Sequence, residues 1–214
     1  MKTALLLLLV AGCIDPVDPA WSLNHDHVVV ARATPPRIHA GDATTLDALV
    51  AHAGGPTTVE SPLSASAGRT QVTGSIIAVN APKDVAYDTG DTPVDVLMTF
   101  ARGTNRALSP VQVKKTVWLG EPADNPAMPD VTIGGAPAGD ALTVPADQDV
   151  YLSTSVPAGW RVNWLTSAGQ LFQDDEPTSY LHVLPADAHD GELACVIRDA
   201  EGGVVWKVWP IHAE

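Results

Sequence analysis

Cysteine, basic residues, aromatics and long apolar runs are all scarce in this chain, and each shortage narrows what it can be. Cysteine occurs twice, at Cys13 and Cys195, too few for the disulfide framework that braces small exported folds. Lysine and arginine total 12 against 25 aspartates and glutamates, a formal charge of −13. Charge of that sign repels a phosphate backbone, which excludes nucleic acid as a partner. The apolar run Ala4–Val10 falls far short of the roughly 20 residues that cross a bilayer. There is no Gly-x-Ser-x-Gly elbow, no His-Glu-x-x-His and no phosphate-cradling glycine loop. No catalytic residue set, no resident metal and no cofactor is implied.

What is present is a globular composition, 45% hydrophobic and 17% charged, with 17 glycines and 18 prolines. That mixture favours many short strands and turns over long helices. The chain opens with a charged start, Met1-Lys2-Thr3, then the apolar run, then the small residues Ala11 and Gly12 before Cys13. This order is that of a secretory signal. The segment Val10-Ala11-Gly12-Cys13 resembles the lipobox of bacterial lipoproteins. The resemblance implies removal of residues 1–12, acylation of Cys13, and attachment to a membrane of the cell envelope, where two or more acyl chains hold stably. In that family an aspartate directly after the cysteine favours the inner membrane. Here Ile14 stands there, so the outer membrane is expected, with the domain facing the periplasm or the surface. Residues 13–26, with Pro16 and Pro19, read as the lipidated N-terminus and a stiff tether.

Beyond the tether the amphipathic period is two. Val94, Val96, Met98 and Phe100 alternate with Asp95, Leu97 and Thr99, and Leu193, Cys195 and Ile197 alternate with Ala194, Val196 and Arg198. Leu46–Ala53 fits a capped helix as well as a strand, and Thr44-Thr45 tips it to strand, with Leu46, Ala48 and Val50 inward. Residues 120–130 hold three prolines without periodicity and read as a junction. The expectation is therefore an all-β protein: a β-sandwich over 27–119 and an immunoglobulin-like one over 131–214, each with roughly seven strands. In the second, Trp164 stands where the core tryptophan of the third strand would be and Cys195 where the sixth-strand cysteine would be, while Leu152 replaces the partner cysteine and Leu193 the corner tyrosine. Asp199-Ala200-Glu201-Gly202-Gly203 reads as a tight hairpin.

Three longer stretches are similar to uncharacterised lipoproteins of myxobacterial-type genomes. They are Val30–Pro36 with Gly41-Asp42, Lys114–Val117 running on to Asn125-Pro126, and Trp164–Gly169 with Val196–Trp206. The resemblance implies location and architecture, and no activity.

Few residues carry candidate chemistry. His25-Asp26-His27 could offer two imidazoles to a metal, but a third ligand is not in sight, and a solvated pair is the plainer reading. Asp88–Asp91 with Asp95, and Asp174–Glu176, could bind calcium or simply be solvated turns. His182 and His189 lie near the last strands without a nucleophile beside them. Cys195, flanked by Leu193 and Ile197, reads as a small buried hydrophobe. Trp160, Trp164 and Trp206 read as core. Trp209 falls on the face of Val205, Lys207 and Ile211, where solvent is expected, and is the candidate binding platform. Trp21 is expected at the membrane interface or over a sandwich edge. The leading functional expectation is a non-catalytic envelope lipoprotein that contacts an envelope protein or polysaccharide. A carbohydrate-binding module using Trp209 and a hydrolase built from separated residues stand behind it.

Overall fold

The computed structural model describes residues 18–67, 71–73, 76–78, 92–101 and 109–214. Cys13 and the acidic turn Asp88–Asp91 lie outside them. The first half contributes β1 (His27–Thr34), β2 (Arg37–Ile38), β3 (Ala43–His52), β4 (Gly55–Glu60), β5 (Ser64–Ser66), β6 (Gln71–Thr73), β7 (Ile76–Ala78), β8 (Thr92–Phe100) and β9 (Val111–Leu119). The second contributes β10 (Val131–Ile133), β11 (Ala136–Pro137), β12 (Leu142–Val144), β13 (Asp149–Thr154), β14 (Arg161–Thr166), β15 (Gln170–Phe172), β16 (Thr178–His182), β17 (Asp190–Arg198) and β18 (Val204–Ala213). Among the described residues no helix is long and apolar enough to cross a membrane.

The strands form four sheets, and the same order appears twice. In the first half β1-β3-β7-β6 faces β2-β9-β8-β5; in the second β10-β13-β16-β15 faces β12-β18-β17-β14. Lettered from A, each pair is an A-B-E-D sheet over a G-F-C sheet, the immunoglobulin arrangement. In both halves a short extra strand, β2 or β12, pairs parallel with the last strand, β9 or β18. Two immunoglobulin-like sandwiches in series are thus what the alternation led one to expect. Among the described residues each half holds nine strands against the roughly seven expected, β2 and β4 in the first and β11 and β12 in the second lying outside the lettered set.

Each sandwich closes on its own core. Leu46, Ala48 and Val50 of β3 meet Val96, Met98 and Phe100 of β8 and Val117 of β9, so the segment that fitted helix or strand is a strand with the expected residues inward. In the second sandwich Leu152, Trp164 and Cys195 share one cluster, and Trp164 lies directly across from Cys195. The Trp164 indole donates to the Glu176 carbonyl at 3.0 Å. A buried indole N–H left unpaired would cost about 1–3 kcal/mol, which is why the Asp174–Glu176 turn is drawn over the core.

A third cluster joins the two sandwiches. Val30, Leu49 and Ala51, from the far side of β1 and β3, pack with Leu165, Ala194, Val196 and Val204 and with Leu23. Trp206 and Val208 border this cluster. Strands β3 and β17 are therefore buried on both faces, and five consecutive residues, Leu193–Ile197, are buried. The segment expected to be tether takes part as well. Ser22 bridges to Thr166 of β14, Leu23 N–H donates to the Thr166 carbonyl at 2.9 Å, and Trp21 packs on the second core. The chain thus touches the second sandwich before it enters the first.

This joint overturns two expectations. Trp209, read as exposed, is 1% exposed and lies in the second core with Ile211 and Ala213. Trp206, read as core, instead borders the joining cluster. Alternation along β18 was given the wrong polarity because its first part packs on the joining cluster through Val204, Trp206 and Val208 and on the second core through Val205 and Trp209. Only Pro210 and His212 of the strand are exposed.

Candidate functional site at the junction and the free faces

Polar contacts fasten the edge of the joint. Asn125, in the proline-rich segment, donates its amide N–H to the Ala33 carbonyl at 2.8 Å and accepts from Val204 N–H at 2.8 Å. One side chain thereby bridges β1 and β18. Lys115 of β9 reaches the Gly202 carbonyl at 2.7 Å. Gly202 has φ +89°, and a Cβ there would come within 2.8 Å of the Trp118 indole nitrogen, so glycine is needed both for the turn and for the approach. The turn closes as expected, with Asp199 Oδ1 accepting from Glu201 and Gly203 N–H. On the opposite side Glu192 of β17 accepts from both the N–H and the hydroxyl of Thr57, each at 2.7 Å. The Arg32 guanidinium, paired with Asp47, lies 3.8 Å from the centre of the Trp206 ring. Segments of Val30–Pro36, Lys114–Val117, Asn125 and Val196–Trp206 thus meet at this joint, which nothing in their spacing announces.

Beside these contacts a cleft of about 570 Å³ opens between the sandwiches, lined by Lys114, Lys115, Trp118, Arg161, Arg198 and Asp199 among others. Burial first, and the neighbouring Arg198 charge second, lower Lys115 to about 8. Burial, then the Arg161 charge, lowers Arg198 as well. A lysine whose folded pKa lies below its usual 10.5 weakens the fold while both states are protonated, below about pH 8. Between about 8 and 10.5 the unfolded chain holds the extra proton, so stability rises with pH across that window. The slope is at most about 1.4 kcal/mol per pH unit. Urea midpoints followed over this range should rise more steeply for the wild type than for Lys115→Met; parallel curves would mean Lys115 is not buried.

The outer face of β13-β16-β15 is a second feature. Tyr151, Tyr180 and Phe172 lie across from one another on three adjacent strands and are 40%, 37% and 51% exposed. The tyrosine rings meet edge to face at 5.3 Å. The next row holds Asp149, His182 and Gln170, with Asp149 and His182 joined at 2.8 Å. The first sandwich covers the other sheet of this unit, so the row points away from the joint.

No protein-family model matches the chain, and no curated protein matches it. Solved structures do resemble it. Murine CEACAM1b shares 16% identity over 86% of this chain and 100% of its own, with a TM-score of 0.31. The tandem Ig repeats of Dlar share 14% over 89% and 98%, at 0.31. The adhesin InvE of Yersinia pseudotuberculosis shares 13% over 88% and 60%, at 0.23. The fold assignment rests on strand order and not on these likenesses.

The remaining expected residues scatter. His25 and His27 stack at 4.2 Å, and Asp26 accepts from Ala53 N–H at 2.9 Å. Burial first lowers the pKa of His27. Among the described residues no group of three His, Cys, Asp or Glu could hold a metal. Asp95 pairs with Lys114 and Thr116 on a sheet surface. Cys195 is fully buried, and burial pushes its thiol far above the usual range, which makes it inert as expected. His189 lies with His182 along a shallow pocket rim that also holds Trp21. Sequence reasoning missed the aromatic row and the cationic cleft, because both depend on strand register across distant segments.

Proposed function

We propose that this protein is a non-catalytic interaction module held at a bacterial cell envelope by lipid on Cys13, most naturally at the outer membrane. The observation that carries the interaction role is the exposed row Tyr151, Tyr180 and Phe172 on the sheet face that points away from the joint. Aromatic rings at the centre of a polar-rimmed patch are the side chains that dominate binding energy when a partner excludes water from them. The lipobox Val10-Ala11-Gly12-Cys13 supports the anchor, and the inert Cys195 supports the absence of thiol chemistry. A body fastened across two sandwiches would present the row in a fixed direction, which reduces the entropy lost on binding. The partner is an envelope protein or polysaccharide.

Palmitate labelling of cells, followed by fractionation, tests the anchor. Label should appear in the membrane fraction for the wild type and vanish with Cys13→Ser. A photo-reactive phenylalanine placed at position 172 tests the row: a recurring adduct from intact envelopes is expected, reduced when Tyr151 and Tyr180 are both changed to serine. Unlabelled protein, or no adduct with the protein in place, would overturn the respective half of the proposal.

A further inference from the structure

The strongest feature left unused is the distribution of positive charge. The chain is acidic overall, with 25 acidic against 12 basic residues. Yet four of the seven lysines and arginines among the described residues, Lys114, Lys115, Arg161 and Arg198, line one cleft between the sandwiches. Chance spreading over an acidic surface would leave these groups beside carboxylates. Asp199 is the one acid lining the same cleft among the described residues, and its Oδ1 is spent on two turn N–H groups. Asp95 stands outside and pairs with Lys114 at 3.0 Å.

The donors are only partly used. Lys115 gives one of its three to the Gly202 carbonyl. Arg198 gives Nη1 to the Asn163 side chain, leaving most of its fork. Arg161 is exposed on the rim and makes no side-chain hydrogen bond or ion pair among the described residues. Burial first, and then the like charge of Arg198 on Lys115 and of Arg161 on Arg198, lowers both groups, while Asp199 acts the other way on Lys115. The walls add Trp118 and the valines of β1. A site between domains, of about 570 Å³, is of the size and place where small ligands bind.

We propose that the cleft between the sandwiches binds an oxyanion (carboxylate, phosphate or sulfate) held by Lys115, Arg161 and Arg198. Guanidinium groups suit such ligands because their paired N–H groups match two oxygens at once. Placed at the seam, a bound anion would relieve the repulsion there and tighten the joint. The inference is independent of the anchor and of the aromatic row.

Inorganic phosphate, sulfate and galacturonate are titrated into the intact protein at constant ionic strength, following the arginine side-chain resonances by NMR and the heat by calorimetry. At least one should bind saturably, shifting Arg161 and Arg198, and the three arms tell tetrahedral from carboxylate ligands. Binding should take up protons near pH 8, since an anion raises the Lys115 pKa, and should weaken as pH climbs past it. Arg161→Gln, an exposed change that leaves the fold intact, should weaken binding roughly tenfold, and Lys207→Gln, remote from the cleft, should not. Failure of all three anions to saturate, absence of proton uptake, or equal weakening in both variants would overturn the proposal.

Discussion

Replacing Trp209 by alanine is expected to destabilise the protein by about 3–5 kcal/mol, the usual cost of emptying a buried tryptophan site. The indole is 1% exposed and shares its cluster with Leu152, Trp164 and Ile211. For a chain of this length the melting temperature should fall by roughly 6–20 °C, at about 2–4 °C per kcal/mol. Trp209→Phe should cost far less. Its ring refills much of the space, and it removes an indole nitrogen that is buried without a hydrogen-bond partner, a group worth about 1–3 kcal/mol against the fold. Lys207, whose ammonium sits 5.2 Å from the Trp209 ring centre, loses only a weak contact. A melting temperature unchanged by Trp209→Ala would return the side chain to the surface and reopen it as a binding platform.

That residue also shows where reading the sequence stops. Period-two alternation located β3, β8 and β17 with the correct residues inward, because one inward set in each, such as Val96, Met98 and Phe100, is uniformly apolar while the other carries a charge or hydroxyl. Trp164, Cys195 and Leu152 could be placed by their positions in a sandwich and do share its core. Along β18 the two sets are Val204, Trp206 and Val208 against Val205, Lys207, Trp209 and Ile211; both are largely apolar, and the one charge, on Lys207, marks the wrong set as outward. The physical reason is that both sets find cover, Val204, Trp206 and Val208 at the joint and Val205, Trp209 and Ile211 in the second core. A signal was present: Leu46–Ala51 and Leu193–Ile197 are nearly continuous apolar runs, the mark of strands buried on both faces. Read together, such runs announce a joining core, though not its partner. Tyr151, Phe172 and Tyr180 were beyond reach for a different reason. They are 21 and 8 residues apart in sequence, and only the register of β13, β16 and β15 aligns them.

The joint itself supplies the second large effect. Ala194 is fully buried on β17, facing Val30, Leu49 and Ala51 of the first sandwich and not the core of its own. Ala194→Asp puts a carboxylate among the apolar side chains of that cluster. An unpaired buried charge of this kind is worth about 3–5 kcal/mol against the structure, and the simplest escape is for the two sandwiches to part and let water reach it. Because Trp164 and Cys195 lie on the other face of that sheet and pack there with Leu152 of the facing sheet, the second sandwich keeps its core. Calorimetry should therefore turn one cooperative transition into two, and protease should gain access to residues 120–130 between the units. Asn125→Ala, which removes the bridge from the Ala33 carbonyl to Val204 N–H, should act in the same direction by about 1–2 kcal/mol, since it breaks two hydrogen bonds without adding a charge. The order of the two variants is the informative result. A joint maintained mainly by apolar burial suffers far more from Ala194→Asp, whereas comparable effects would mean that the polar clasp carries it. A single unaltered transition in Ala194→Asp would mean that the sandwiches do not pack face to face, and the cleft between them would lose its walls.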